Sequence, residues 1–147
     1  MKKLLFLTFF FFIRFFIFAQ EFEIQWLDNM QNYLGKQIRD IPDEYIQNPR
    51  DREEFTRELP NNILEGFRVK NNIIIGVMWV KITASRSTLY SEYDSYKTLL
   101  VNRFGKELYN LSGYNFWSWN SRIIVLGVID GAGVGITLIS EAIGLVL

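Results

Sequence analysis

The sequence predicts an α+β fold: an antiparallel sheet of about four to five strands, built from two hairpins, with one long helix and an N-terminal helix packed on it. Three observations carry this. Residues 122–140 are the most apolar part of the chain beyond its first nineteen residues, and they divide into two β-branched runs around Asp130-Gly131-Ala132-Gly133. An Asp-Gly pair between apolar runs is a strong hairpin signal, because the connection needs residues that tolerate positive φ. Residues 63–84 repeat the form, with Lys70-Asn71-Asn72 as the turn. Residues 87–104 carry Tyr93, Tyr96, Leu100 and Phe104 at helical spacing, joined by Leu99, and Gly105 supplies the stop.

Taken in order, residues 1–19 read as an export signal. Lys2 and Lys3 form its charged start, residues 4–13 its apolar stretch, and Ala19 a small residue for cleavage before Gln20. Arg14 interrupts the apolar run, and an uncleaved N-terminal anchor is the competing reading. Residues 20–147 then form a single domain. Lys2, Lys3 and Arg14 leave with the signal, which takes the formal charge from +0 to −3. That sign argues against nucleic acid and anionic membrane surfaces as partners. A chain of this size holds a sizeable core. It has no Cys, so packing alone must hold an exported form together.

Residues 24–34 place Ile24, Leu27, Met30 and Leu34 at helical spacing, with Gly35 just past the end. Residues 36–58 are crowded with charges of both signs and read as a solvated helix or loop. Asn48-Pro49 would start a short helix, Glu53 and Arg57 are spaced i,i+4, and Pro60 would end it. Residues 73–82 are nearly continuously apolar, as expected of a central strand covered on both faces. In the long helix, Ser91 and Asp94 have capping-box spacing. Phe116, Trp117 and Trp119 follow, with Asn120-Ser121 as a turn; on a strand, Phe116 and Trp117 point to opposite faces.

Two other readings of the C-terminal region compete with the hairpin. Residues 123–147 are long enough to span a bilayer as a helix, but Asp130, Glu141 and four glycines between residues 127 and 135 oppose that. Gly131-Ala132-Gly133-Val134-Gly135 resembles a dinucleotide loop, but Ile136 stands where the third glycine belongs.

The run Tyr93-x-x-Tyr96, Phe104-Gly105, Trp119, Ile123-Ile124-Val125-Leu126 and Gly135-Ile136-Thr137-Leu138 resembles a loose group of small exported bacterial α+β proteins of unknown function. In outline these are similar to two-layer folds of the β-lactamase-inhibitor and outer-membrane-assembly-lipoprotein kind. The resemblance covers residues 63–140. It implies a helix packed on an antiparallel sheet and a protein-binding role. The chain lacks the lipid-bearing Cys of the lipoproteins, and no functional residue carries over.

With no His and no Cys, His-assisted serine chemistry, cysteine nucleophiles and nearly all zinc sites are excluded. Glu92 and Asp94, two apart on a helix, diverge, and Asp40, Asp43 and Glu44 are too sparse for a calcium loop. Asp130 and Glu141 are the remaining carboxylates for a hydrolase reading. The sequence is therefore read as non-enzymatic, without cofactor or metal: an exported binding module, with a membrane-anchored envelope protein as the alternative. Another exported or envelope protein is the expected partner. Trp117, Trp119, Tyr90, Tyr93 and Tyr96 are its candidate binding surface.

Overall fold

Short turns with left-handed backbone set the architecture. Asn71 and Asn72 (φ 53° and 62°) close one two-residue hairpin, Ser112 and Gly113 (52° and 86°) a second, and Asn120 and Ser121 (51° and 57°) a third. Positive φ at both central residues matches the twist of the flanking strands and holds the register tightly. The computed structural model describes residues 24–83, 85–129 and 133–140. The chain divides into two units at Asn32/Tyr33. In the first, residues 24–30 form helix α1, and the Gln31 and Asn32 side-chain amides both donate to the Asp28 carbonyl. Gly35 follows with φ 85°, a conformation that stops a helix.

The second unit holds one sheet of eight strands. In chain order these are β1 (Ile46–Asn48), β2 (Asp51–Leu59), β3 (Ile63–Lys70), β4 (Ile73–Ile82), β5 (Tyr109–Leu111), β6 (Tyr114–Trp119), β7 (Arg122–Ile129) and β8 (Gly133–Ser140). Helix α2 (Arg86–Phe104) lies between β4 and β5. The order across the sheet is β1-β2-β3-β4-β8-β7-β6-β5, antiparallel throughout. Two meanders, β1–β4 and β5–β8, therefore join at the β4–β8 pair, and α2 carries the chain from the middle of the sheet to its far edge.

Antiparallel partners share a face, so the pairing sorts the side chains. On the α2 side one row runs Arg57, Glu65, Trp79, Ile136, Leu126, Asn115 and Asn110. The neighbouring row includes Phe67, Val77, Leu138, Ile124 and Trp117, all completely buried or nearly so. A bulge between Arg68 and Val69 leaves Ile75 unpaired and brings Ile74 onto the same side as Val77. Helix α2 covers the β6–β8 part of this face and buries Leu89, Tyr96 and Leu100, which lie along one stripe. Its N-cap is Ser85, whose hydroxyl accepts from the Thr88 amide at 3.2 Å, and Gly105 (φ 82°) ends it.

Several sequence expectations need correction. The sheet has eight strands, not four to five. Residues 51–59, read as helix or loop, are strand β2. Residues 46–48 and 109–111 add the edge strands β1 and β5. Cross-strand partners outweighed the local helical signals here. Arg57 pairs with Glu65 rather than with Glu53 four residues away, and Phe55 stands opposite Phe67. Asn48 caps no helix; its Oδ1 accepts from the Arg50 amide at 3.0 Å and turns the chain from β1 into β2. The cap of α2 is Ser85, six residues before the expected box at Ser91. Strand β4 is central, as expected, but its two faces differ: Trp79 is buried on the α2 side, and Ile82 is exposed on the other. The hairpin reading of the C-terminal region holds, since β7 and β8 pair from Arg122–Ser140 to Ile129–Gly133. That excludes a spanning helix through residues 123–140. No helix among the described residues is long and apolar enough to cross a membrane. The signal at 1–19, the Asp130-Gly131 turn and Glu141 lie outside the described residues.

A core gathered mainly on one side of the sheet, with Val80 the buried exception on the other, makes a direct prediction. Leu126→Ala should cost roughly 2–5 kcal/mol in urea unfolding, because it empties a site beneath α2. Tyr90→Ala, on the exposed side of α2, should change stability by less than about 0.5 kcal/mol.

Candidate interaction surface

The five residues singled out from sequence separate once folded. Trp117 is 1% exposed, and its indole N–H donates to the Gly105 carbonyl at 3.0 Å, tying β6 to the end of α2. Trp119 is half-buried, 5.3 Å from the Phe104 ring, with the Arg103 guanidinium 5.8 Å from its centre. Tyr96 is buried edge-on against Trp79 at 5.2 Å. The Tyr93 hydroxyl donates to the Gly113 carbonyl at 3.1 Å and accepts from the Asn115 amide. Asn115, fully buried, accepts in turn from Asn110 at 2.8 Å. Of the five, only Tyr90 is openly exposed. Four of them hold α2 to the sheet and do not form one free surface.

The densest polar cluster gave no sequence motif. Glu65, on β3, is buried, and its Oε2 accepts from the Tyr45 hydroxyl at 2.9 Å and from Arg57 Nε and Nη2 at 3.0 and 2.8 Å. Arg57 also donates to Glu44 at 2.7 Å and lies 4.8 Å from the centre of the Tyr45 ring. Burial pushes the Tyr45 phenol far above the usual tyrosine range, and the hydrogen bond and charge of Glu65 act in the same direction. Burial also works against the Arg57 charge, but the hydrogen bond to Glu65 and the neighbouring oxygens outweigh it and raise its pKa. An anionic oxygen already holding three donors is no free base or nucleophile. The cluster instead locks β2 to β3 and fixes the segment before β1. Among the described residues, no group of three acidic side chains could hold a metal ion.

The opposite side of the sheet is a different surface. Its middle row starts at Met78 and passes through Thr137, Val125 and Phe116 to Tyr109. In the other direction it continues through Gly66 and Thr56 to Ile46. Among the described residues of the second unit, no α-helix lies on this side. Among the described residues seven large hydrophobics are exposed, and five of them lie here: Ile46 (74%), Ile82, Tyr109 (50%), Leu111 (60%) and Tyr114. Glycines keep the surface flat. The Tyr114 ring lies directly across Gly127, and Ile129 lies across Gly135, so a Cβ at either glycine would overlap the side chain above it. On β4, β8, β7 and β6 this side carries no charged residue. Charges begin on β2 and β3, with Glu54, Glu58, Arg68 and Lys70. Arg68 is paired with Asp51 and, at 3.2 Å, with Glu53; its hydrogen bond holds the Asp51 carboxyl below the usual range.

The outer face was legible only in part. Alternation of Tyr114, Phe116 and Ser118 with Asn115, Trp117 and Trp119 gives two faces, but which one α2 covers is not written in the strand. The exposed aromatic surface comes from Tyr109, Phe116 and Tyr114, with Tyr109 stacked on Phe116 at 4.6 Å.

The Tyr45 cluster predicts alkaline behaviour. A folded-state phenol pKa above the unfolded value, about 10, contributes stability that is fully present below pH 10. That stability is lost as pH rises beyond it, because only the unfolded chain then ionises readily. Tyr45→Phe should flatten the loss of stability above pH 10 and remove one late-titrating phenol from the ultraviolet titration. Arg57→Met, which strips two donors from the buried Glu65, should cost about 1–3 kcal/mol at neutral pH. No protein-family model, curated protein or solved structure matches the chain.

Proposed function

We propose that this chain is an exported, non-catalytic interaction module that binds through the outer face of its sheet. The observation that carries the reading is the one-sided core. The fully buried large side chains of the sheet lie on the α2 side, while apart from Val80 the large apolar residues of the outer face stay partly or openly accessible across several neighbouring strands. A sheet in water ordinarily alternates apolar-in with polar-out. Here the outward positions of β4, β8, β7 and β6 are Met, Val, Ile, Thr, Phe, Tyr, Gly and Ser. Contiguous exposed apolar surface of this kind marks binding sites. The polar clusters supply no competing catalytic reading, because the buried carboxylate and amide are occupied by structural partners. Export rests on the residues 1–19 pattern of paired lysines, an apolar stretch and Ala19.

Two measurements test the reading. A photo-reactive amino acid at Val125 should yield an adduct of discrete mass in the producing cell, and the same group at Tyr90 should not. An adduct from Tyr90 alone would move the binding surface to α2 and overturn the assignment. Intact mass of the expressed chain should begin at Gln20 in a non-membrane fraction; an uncleaved chain in the membrane fraction would favour the anchored alternative.

A further inference from the structure

We infer that the outer face is covered by a second copy of this chain, the two sheets packing face to face as a sandwich. This rests on the binding reading above and names its partner.

Charge points to the partner first. A lipid surface is a poor match for this face. Of its cations on β3, Arg68 is neutralised by Asp51 and Glu53 and Lys70 stands at the strand's end, away from the apolar centre, and Glu54 and Glu58 stand beside Arg68. Anionic headgroups would meet carboxylates there. A copy of the same face meets no such penalty. Strands β4, β8, β7 and β6 carry no charge on this side, so the surface is complementary to its own image. A two-fold contact requires that property. Opposing these four strands in two copies leaves Glu54, Glu58 and Arg68 at the rim, which gives the apolar centre and polar margin of a specific interface.

Size points the same way. Four strands at ~4.8 Å spacing and about seven residues at ~3.4 Å rise, with the short β5 beside them, present on the order of 500 Å² per copy. Two copies thus bury about 1,000 Å², the threshold at which an interface becomes specific. Ile46 and Leu64, further out on the same face, add to it. Shape also fits. With Tyr114 folded over Gly127 and Ile129 over Gly135, the surface has the low relief that lets two sheets stack at ~10 Å.

The test is the mass of the full chain by sedimentation equilibrium across a dilution series. The expected result is twice the chain mass of 17.4 kDa, or of its processed form. Val125→Glu should halve the mass while Tyr90→Glu leaves it unchanged. Because Val125→Glu could weaken folding, a gentler variant accompanies it. The chain has no Cys, so Val125→Cys introduces a single thiol, and a short bis-maleimide should link two copies through it but not through Tyr90→Cys. A dimer that persists in Val125→Glu and links through Tyr90→Cys would overturn the inference by placing the contact elsewhere. A monomer that binds an apolar fluorescent probe at a Val125-dependent site would overturn the self-pairing and keep the binding face. A monomer that binds no probe would overturn both.

Discussion

The register between β4 and β8 is the constraint on which the rest depends. It joins residues 76–82 to residues 133–139, two meanders far apart in sequence, and among the described strands it is the pairing that makes them one sheet. Because side chains alternate with a period of two, a slip of one residue would exchange the faces of a whole meander. Trp79 and Val77 would leave the α2 side of the sheet, and Met78 and Val80 would take their place. The pairing of Trp79 with Ile136 and Val77 with Leu138 therefore decides which residues form the core and which form the outer surface. It also aligns the row whose two ends carry Glu65 and Asn115, the buried polar residues of the described chain. Each closes the apolar row with a satisfied network, Glu65 with Tyr45 and Arg57, Asn115 with Tyr93 and Asn110. An apolar row with polar ends has one favourable register, since shifting it would strand a carboxylate or an amide among hydrocarbon.

Much of this was legible in the sequence, and the parts that were not share a cause. Helix α2, the β3–β4 hairpin and the β7–β8 hairpin are each specified locally, by Gly105, Asn71-Asn72 and an apolar pattern broken by Asp130-Gly131. Strand β2 is not. Asp51 to Leu59 holds charges at spacings that suit a helix, and only its partner β3 turns Arg57 toward Glu65 and Phe55 toward Phe67. One local signal did exist: Asn61-Asn62 has the positive φ values of Asn71-Asn72 and ends the β2–β3 connection in the same way. Read as a second asparagine turn, it would have argued for a strand before it. The short β5 is similar, since Ser112-Gly113 is its turn but three residues give no period to read.

The candidate surface was the least legible feature, for a physical reason. Aromatic residues near a helix start or beside a turn were the obvious binding anchors, yet Trp117 and Tyr96 are large enough to be the main fill between α2 and the sheet. Their polar atoms are used within the fold: the Trp117 indole reaches the Gly105 carbonyl, and Tyr93 bridges Gly113 and Asn115. Size and a polar tip suit an aromatic to an interface and equally to a core edge. What separates the two is the side of the sheet on which the helix lies, and that follows from the long-range register rather than from any short motif.

The same register explains why an apolar outer face persists at all. A solvated sheet could replace Val125, Thr137 or Met78 by charged residues without touching the core, since these point away from Ile124, Leu138 and Val77. The glycines at 127 and 135 would be needless on such a surface, because side chains standing up into water do not need to lie across their neighbours. Tyr114 over Gly127 and Ile129 over Gly135 instead trade local strand stability, since glycine weakens a strand interior, for a flat apolar plane. Part of that loss is offset within the fold itself, because Tyr114 and Ile129 cover the glycine backbone that would otherwise face water.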